Sequence, residues 1–270
     1  MKIFKNKHSL QKEIFNKRLC FIPTMGGLHK GHESLIKNAK KFKQKRLVSI
    51  FINPKQFNTV SDYNSYPRNI KKDIRILKML KVDYLYLPSF KDIYGFKTKR
   101  KVFLNKFSKQ LCGKFRKGHF EGVLNVVNRF LEIINPTHIF LGKKDYQQLY
   151  LIKEHIKKRK IACKVVACKT IREKNYIACS SRNINLSKNQ IIIASNIIRF
   201  LRKSKKKYIN TFDLTNKKFL KLKLLNLGAS KIDYIEKINI NDFKKTSFNK
   251  GKFNLFIAYY VGKVRLIDNF

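Results

Sequence analysis

The sequence predicts an α/β fold: a mostly parallel sheet with helices on both faces, followed by a smaller α+β domain. Three observations predict it. Short apolar runs alternate with segments of helical periodicity through the first two-thirds of the chain. The run Arg46–Asn53 (RLVSIFIN) is almost continuously apolar, as a strand buried on both faces must be. After Asn183 the alternation stops, which places a boundary near residue 185 and divides the chain into domains 1–185 and 186–270.

The elements come in this order. Arg18–Pro23 (RLCFIP) reads as a strand ending at a turn. From His32, HESLIKNAKKF sets Leu35, Ile36, Ala39 and Phe42 on one helical face. Arg46–Asn53 is the second strand. Pro67 is suited to open a helix whose stripe is Ile70, Ile74, Leu77 and Leu80. Val82–Leu87 is a strand, Gly122–Ile134 a helix, His138–Leu141 a strand, Tyr146–Lys158 a helix and Cys163–Ile171 a strand. Beyond the boundary, a helix-like stretch Asn189–Arg202 runs into the Lys-rich segment Arg202–Lys207. Shorter strand-like pieces stand at Ile232–Ile235, Leu255–Val261 and Val264–Ile267.

Composition removes several classes. With 270 residues, 43% of them hydrophobic, the chain can bury a real core. No apolar run approaches the roughly 20 residues that span a bilayer. The N-terminal segment MKIFKNKHSLQKEIF carries charges throughout and lacks a signal peptide's apolar stretch, so a cytoplasmic location is expected. The five cysteines (Cys20, Cys112, Cys163, Cys168, Cys179) are odd in number and form no C-x-x-C pair, which favours buried free thiols. Lys and Arg number 62 against 16 Asp and Glu, a formal +46. The lysines are spread along the whole chain, as solvated faces require, rather than gathered in a stripe. No specific nucleic-acid partner is expected, only salt-sensitive adhesion to polyanions.

Parallel sheets bind ligands at the carboxyl ends of their strands, so the residues just after each strand carry the chemistry. The first strand leads into Thr24-Met25-Gly26-Gly27-Leu28-His29-Lys30-Gly31-His32. Glycines there let the backbone approach a ligand. His29 and His32 can aim ring N–H groups at one point where a helix start offers backbone N–H groups and positive potential, and a triphosphate suits that point. The second strand ends in Asn53-Pro54-Lys55-Gln56, whose amides suit a small polar substrate. Gly142-Lys143-Lys144-Asp145 places a cation for phosphate and an acid fit to cap a helix, with Gln148 one turn further on. Cys179-Ser180-Ser181-Arg182 offers two hydroxyls and a guanidinium, a phosphate cradle in composition.

Together these segments resemble the pantothenate synthetase (pantoate–β-alanine ligase) family, within the HxGH nucleotidyltransferase superfamily. The matching stretches stand in order: PTMGGLHKGH, SIFINPKQFN with DYNSYPR after it, KGHFEGVLNVVNRF, FLGKKDYQQL, TIREKNYIACSSRNINLS and VGKVRLIDN. The resemblance implies a Rossmann-like first domain with a smaller C-terminal domain as lid, a homodimer, and Mg²⁺ arriving with ATP. It implies a reaction in two steps. Pantoate and ATP give pantoyl adenylate and pyrophosphate, and β-alanine then displaces AMP to give pantothenate. By motif, Met25 to His32, Gly142 to Asp145, Ile171 and Cys179 to Arg182 would contact ATP. Gln56 and Gln148 would hold pantoate, with Gln56 also near β-alanine, and His32 would be the proton donor. Arg116 and His119 would lie near the site. Transition-state charge would fall to His29, His32, Lys144, Ser180, Ser181 and Arg182. Two positions depart from the family pattern: Cys179 replaces a methionine, and Lys143 an acidic residue or glutamine. A different HxGH nucleotidyltransferase is the runner-up, disfavoured because Gln56 and Gln148 are neutral and suit no phosphorylated substrate. A basic nucleic-acid binder on a dead nucleotide fold is disfavoured because every phosphate-contacting side chain is present.

Overall fold

Apolar runs pair into strands wherever both of their faces can be covered. The computed structural model describes residues 1–208, 214–240, 243 and 253–270, and it divides into two compact units, Met1–Thr170 and Ile171–Phe270. The first unit carries strands β1 (Lys2–Phe4), β2 (Leu19–Thr24), β3 (Lys45–Ile50), β4 (Tyr84–Tyr86), β5 (His138–Gly142) and β6 (Lys164–Cys168). Its helices are α1 (Lys7–Ile14), α2 (Lys30–Ala39), α3 (Val60–Asn64), α4 (Ile70–Met79), α5 (Phe90–Tyr94), α6 (Cys112–Phe115), α7 (His119–Ile134) and α8 (Tyr146–Lys158). The strands form one six-stranded parallel sheet in the order β1-β4-β3-β2-β5-β6.

Side-chain alternation distributes the core over both faces. Cys20 and Ile22 of β2 pack with Leu35, Ile36 and Ala39 of α2 and Leu77 of α4. Phe21, between them, turns the other way and meets Phe130 of α7 at 5.4 Å, and Tyr86 meets the same ring at 6.2 Å. Of the stripes read from the sequence, Leu35, Ile36 and Ala39 of α2 are buried with Phe42 half-buried beyond them, whereas on α4 Leu77 is buried, Ile74 and Leu80 are half-buried and Ile70 is exposed. All five cysteines are buried, and none is joined in a disulfide.

Two helix starts lie three residues from expectation. The helix expected from Pro67 begins at Ile70, because the Asn69 carboxamide accepts from the Lys72 N–H and caps it there. Helix α7 begins at His119, three residues ahead of the apolar periodicity, after Gly118 at φ 76°. β1 and α1 are too short and too charged to stand out in the sequence.

Gly122 on α7 permits a close approach. A methyl group there would sit 2.1 Å from the Lys55 carbonyl oxygen and 2.9 Å from the Gln56 Cα. Further along, His155 of α8 is fully buried. It accepts from the Phe103 N–H at Nδ1 (3.1 Å) and donates from Nε2 to Asn128 Oδ1 (3.0 Å). Burial, reinforced by the Arg159 and Arg100 cations, pushes its pKa down to about 4.

The second unit holds α9 (Lys188–Tyr208), α10 (Leu214–Asn226) and an antiparallel sheet of β7 (Lys231–Asn239), β8 (Phe253–Val261) and β9 (Val264–Asn269). Ile197, Leu201, Leu220, Leu224, Ile235 and Ile257 meet in its core. The side chains of residues 205–207, in the Lys-rich segment, lie outside the described residues. This unit begins before residue 185. Arg172 forms a two-pronged pair with the buried Asp268 carboxylate of β9 (2.6 and 2.9 Å), and Arg172 bridges Ala178, which ties that hairpin to the C-terminal sheet.

Two outcomes are expected. Gly122→Ala forces backbone apart and should lower stability by about 1–3 kcal/mol, while raising KM for the substrate held by Gln56; denaturant melts and initial rates check both. His155 in the unfolded chain binds a proton near pH 6.5, whereas the folded form resists to about 4. Its contribution is therefore full above pH 6.5 and is lost as pH falls through 4. Urea midpoints should fall across that window, and His155→Gln should show a shallower fall.

Candidate active site

The sheet order places a switch point between β2 and β5: β3 and β4 lie to one side of β2, β5 and β6 to the other. The ladder between β2 and β5 runs only over Cys20↔His138 and Phe21↔Ile139, although both strands continue further. Their carboxyl ends are thus unpaired with each other, and the segments after Thr24 and Gly142 leave from the mouth of a crevice.

After β2 the chain turns through Gly26 (φ 77°) and Gly27 (φ 59°), a conformation that suits glycine alone at no cost. His29 occupies the N-cap of α2, and its Nδ1 accepts from the Gly31 N–H at 3.1 Å. That bond leaves the His29 proton on Nε2, available to donate. The His32 ring stacks on His29 with centroids 4.1 Å apart. The His32 Nδ1 atom is buried with no hydrogen-bond partner. Burial, with Lys144 beside it, pushes the His29 pKa down to about 4, Asp145 opposing. His32 lies well below its ordinary value through burial and the neighbouring His29 and Lys144. The structure therefore brings Lys144 and Asp145 beside the histidine pair.

Several backbone N–H groups of this turn, and that of Gly31 at the helix start, have acceptors inside the protein. Buried Asp73 of α4 accepts from Gly27 N–H (2.9 Å) and Leu28 N–H (2.8 Å). Gly26 N–H goes to Thr24 Oγ1 (3.3 Å), and Gly31 N–H to His29. These donors are spent inside the protein. Side chains aimed into the crevice then take a larger share of any phosphate charge. Met25 reaches the other half of the crevice, where the Gln56 amide points at its sulfur. Leu28 is buried in the core, and Lys30 is the first residue of α2.

The segment after β3 is built as firmly. Asn53 is buried and donates to the Gly122 carbonyl (3.1 Å) while Tyr94 donates to its Oδ1 (2.8 Å). The Gln56 main-chain carbonyl accepts from His119 Nδ1 (2.7 Å) and Arg116 Nη2 (3.2 Å). Because His119 donates from Nδ1, its Nε2 accepts from Arg116 Nη1 (3.1 Å). Arg116 and His119 thus hold the backbone from which Gln56 projects.

Beyond β5, residues Lys143–Asp145 form a 3-10 turn, and Asp145 sits at the N-cap of α8 without accepting a cap hydrogen bond. The expected capping bond is absent, which leaves the carboxylate directed elsewhere. Adjacent glutamines diverge here. Gln147 is buried, accepts from Cys112 N–H and donates to the Phe107 and Gln110 carbonyls, whereas half-buried Gln148 makes no such bonds.

Ile171, Cys179, Ser180, Ser181 and Arg182 belong to the second unit. Cys179 is buried, and its N–H donates to the Ile171 carbonyl at 2.9 Å, so these two lie side by side. Ser180 caps a 3-10 turn over Ser181–Asn185, its Oγ accepting from the Arg182 N–H. Asp73, Tyr94 and Gly122 carry no signal that spacing alone would reveal. Each acts through a partner distant in sequence.

A family model described as pantoate-beta-alanine ligase matches residues 2–270. Pantothenate synthetase of Francisella tularensis subsp. novicida is 41% identical over 98% of this chain and 94% of its own length. A Francisella tularensis pantoate-beta-alanine ligase, solved with beta-gamma ATP and beta-alanine, superposes with a TM-score of 0.85 at 40% identity. The match covers 100% of this chain and 97% of that one. Pantothenate synthetase of Thermus thermophilus superposes at 0.92 with 28% identity, covering 100% and 99%. The chain belongs to the pantoate–β-alanine ligase family, and it joins pantoate to β-alanine in a reaction driven by ATP.

Proposed function

We propose the following assignment of residues to that reaction. ATP lies at the carboxyl ends of β2 and β5, with its phosphates against His29, His32 and Lys144. The observation that carries this reading is the convergence of the stacked histidines and the Lys144 cation at the sheet's switch point. Met25 to His32 and Gly142 to Asp145 line the nucleotide. Ile171 and Cys179 to Arg182 are assigned to it on their chemistry and their motif. Mg²⁺ enters as part of the nucleotide substrate, held by phosphate oxygens and water, as this small ion prefers.

Gln56 and Gln148 hold pantoate, the first fixed through its backbone, the second with its amide uncommitted. The pantoate carboxylate attacks the α-phosphate, a P–O bond forms, and the bond to pyrophosphate breaks. The β-alanine amine then attacks the acyl carbon, AMP leaves with the C–O electron pair, and the amine proton is lost to solvent. Charge builds on phosphate oxygens in the first step. Positioned N–H and O–H donors in a partly dry site stabilise it. Neutral imidazoles serve as donors, and His29 offers Nε2–H by virtue of its bond to Gly31.

The resemblance further supports a homodimer and a cytoplasmic location, with no specific nucleic-acid partner and no membrane. Among the described residues, no helix is long and apolar enough to cross a membrane. Sedimentation of the purified chain tests the dimer.

Incubation with ATP, Mg²⁺, pantoate and β-alanine should yield AMP and pantothenate in equal amounts. Well-folded protein giving no β-alanine-dependent AMP would sink the assignment. His32→Ala should lower adenylate formation by about 10²–10³-fold with the fold retained, and wild-type turnover would remove His32 from the mechanism. The depressed histidines add a pH dependence. In free protein the His29 imidazole should titrate near 4 by NMR. Bound triphosphate supplies opposite charge at close range and should shift that titration upward.

A further inference from the structure

Asp73 stands outside every motif that points to the site, yet its carboxylate reaches into the phosphate turn from α4. It is 2% exposed, and each of its oxygens accepts one backbone N–H of the turn: Oδ2 from Gly27, Oδ1 from Leu28. A Cβ at Gly26 would lie 3.0 Å from Oδ2, so the carboxylate occupies the space beneath that glycine. Gly26 and Gly27 both hold left-handed backbone conformations, which a flexible Gly-Gly pair leaves readily unless something fixes it. Two charge-assisted bonds to one buried, rigid acceptor provide the fixing. The turn delivers the chain to His29 at the N-cap and to His32 on the first turn of α2, and the stacking of the two rings depends on where α2 begins.

We propose that Asp73 is a positioning residue for adenylation: it withholds the Gly27 and Leu28 amides from the nucleotide and locks the glycine turn in the form that sets His29 against His32. Asp73 touches no substrate. Its negative charge is spent on the turn's own donors, and the triphosphate is thereby left to side chains that can be aimed. The inference rests on the assignment of the β2–β5 crevice to ATP. It predicts a selective defect. Adenylation requires the triphosphate in line with the pantoate carboxylate, and small misplacement there is costly. Aminolysis of a finished adenylate needs no departing pyrophosphate.

The test is Asp73→Asn, an isosteric change that puts an N–H donor against one of the two amides. Pantoate-dependent exchange of pyrophosphate into ATP should fall about 10²-fold. The release of pantothenate from supplied pantoyl adenylate and β-alanine should be unchanged. Equal loss in both half-reactions, or unchanged exchange, overturns the proposal. A second measurement uses the wild-type protein and needs no variant. The Gly27 and Leu28 amides should be protected from hydrogen exchange without nucleotide, and MgATP should not add to that protection. Protection that appears only with MgATP would make them nucleotide ligands and overturn the proposal. Absence of any exchange activity in wild-type protein would strike the ATP assignment instead, and leave the amide result to judge Asp73 by itself.

Discussion

The first unit depends on the place where the strand order of its sheet reverses. A parallel strand inside a sheet has its backbone groups claimed from both sides. Between β2 and β5 that mutual claim stops at Phe21↔Ile139, while β2 goes on to Thr24 and β5 to Gly142. The two chains leave the sheet as neighbours that are not bonded to each other. A crevice at that point arises from topology and needs no special loop. Ile22 of β2, Leu28 of the turn after it and Phe140 of β5 are buried in one apolar core. Burial desolvates both histidines, and with Lys144 beside them it is why they resist protonation.

A desolvated site changes how phosphate is held. Many phosphate turns present bare amides at a helix start. Here the amides of Gly26, Gly27, Leu28 and Gly31 all have acceptors within the protein. A turn that is internally satisfied is stiff. Stiffness suits catalysis by aimed donors, since donors that need not reorganise stabilise charge as it forms. Across the crevice the same economy holds Gln56: its carbonyl is gripped by His119 and Arg116, and Gly122 lets α7 come close enough for the grip.

Much of this is legible in the residues. The alternation of strand and helix points to the parallel sheet, and the runs at Tyr146–Lys158 and Arg46–Asn53 find their elements because apolar periodicity is a local property. His29, His32, Lys144 and Gln56 are legible because each stands shortly after a strand. What acts at long range is not legible. Asp73 stands 46 residues from Gly27, and nothing in IKKDIRILKM distinguishes its carboxylate from a solvated one. Likewise Arg172 reads as part of the first domain. Only its bond to Asp268, near the other end of the chain, reveals that the CSSR hairpin belongs with the C-terminal sheet. Helix starts escape the periodicity where a side-chain cap decides them, as Asn69 does for α4.

Where the acids stand also explains the charge. With 16 Asp and Glu against 62 Lys and Arg, a structural role for an acid stands out. Asp268 pairs Arg172, Asp233 pairs Arg265, Asp83 receives Arg46, and Glu236 receives Lys217. Asp92 accepts from the N–H of Ser89, the N-cap of α5, and from Lys7 N–H, and Glu132 accepts from the Lys99 and Arg100 amides. Many lysines, by contrast, sit exposed on helix faces, where their charge is solvated and changes folding little. That asymmetry has a physical basis: solvent tolerates surface Lys at little cost, while these acids stand where a cation or a backbone donor meets them. Asp73 belongs to the second group by burial and by bonding. Its place so near a site for polyphosphate, where a negative charge is otherwise unwelcome, is accounted for by the two amides it holds.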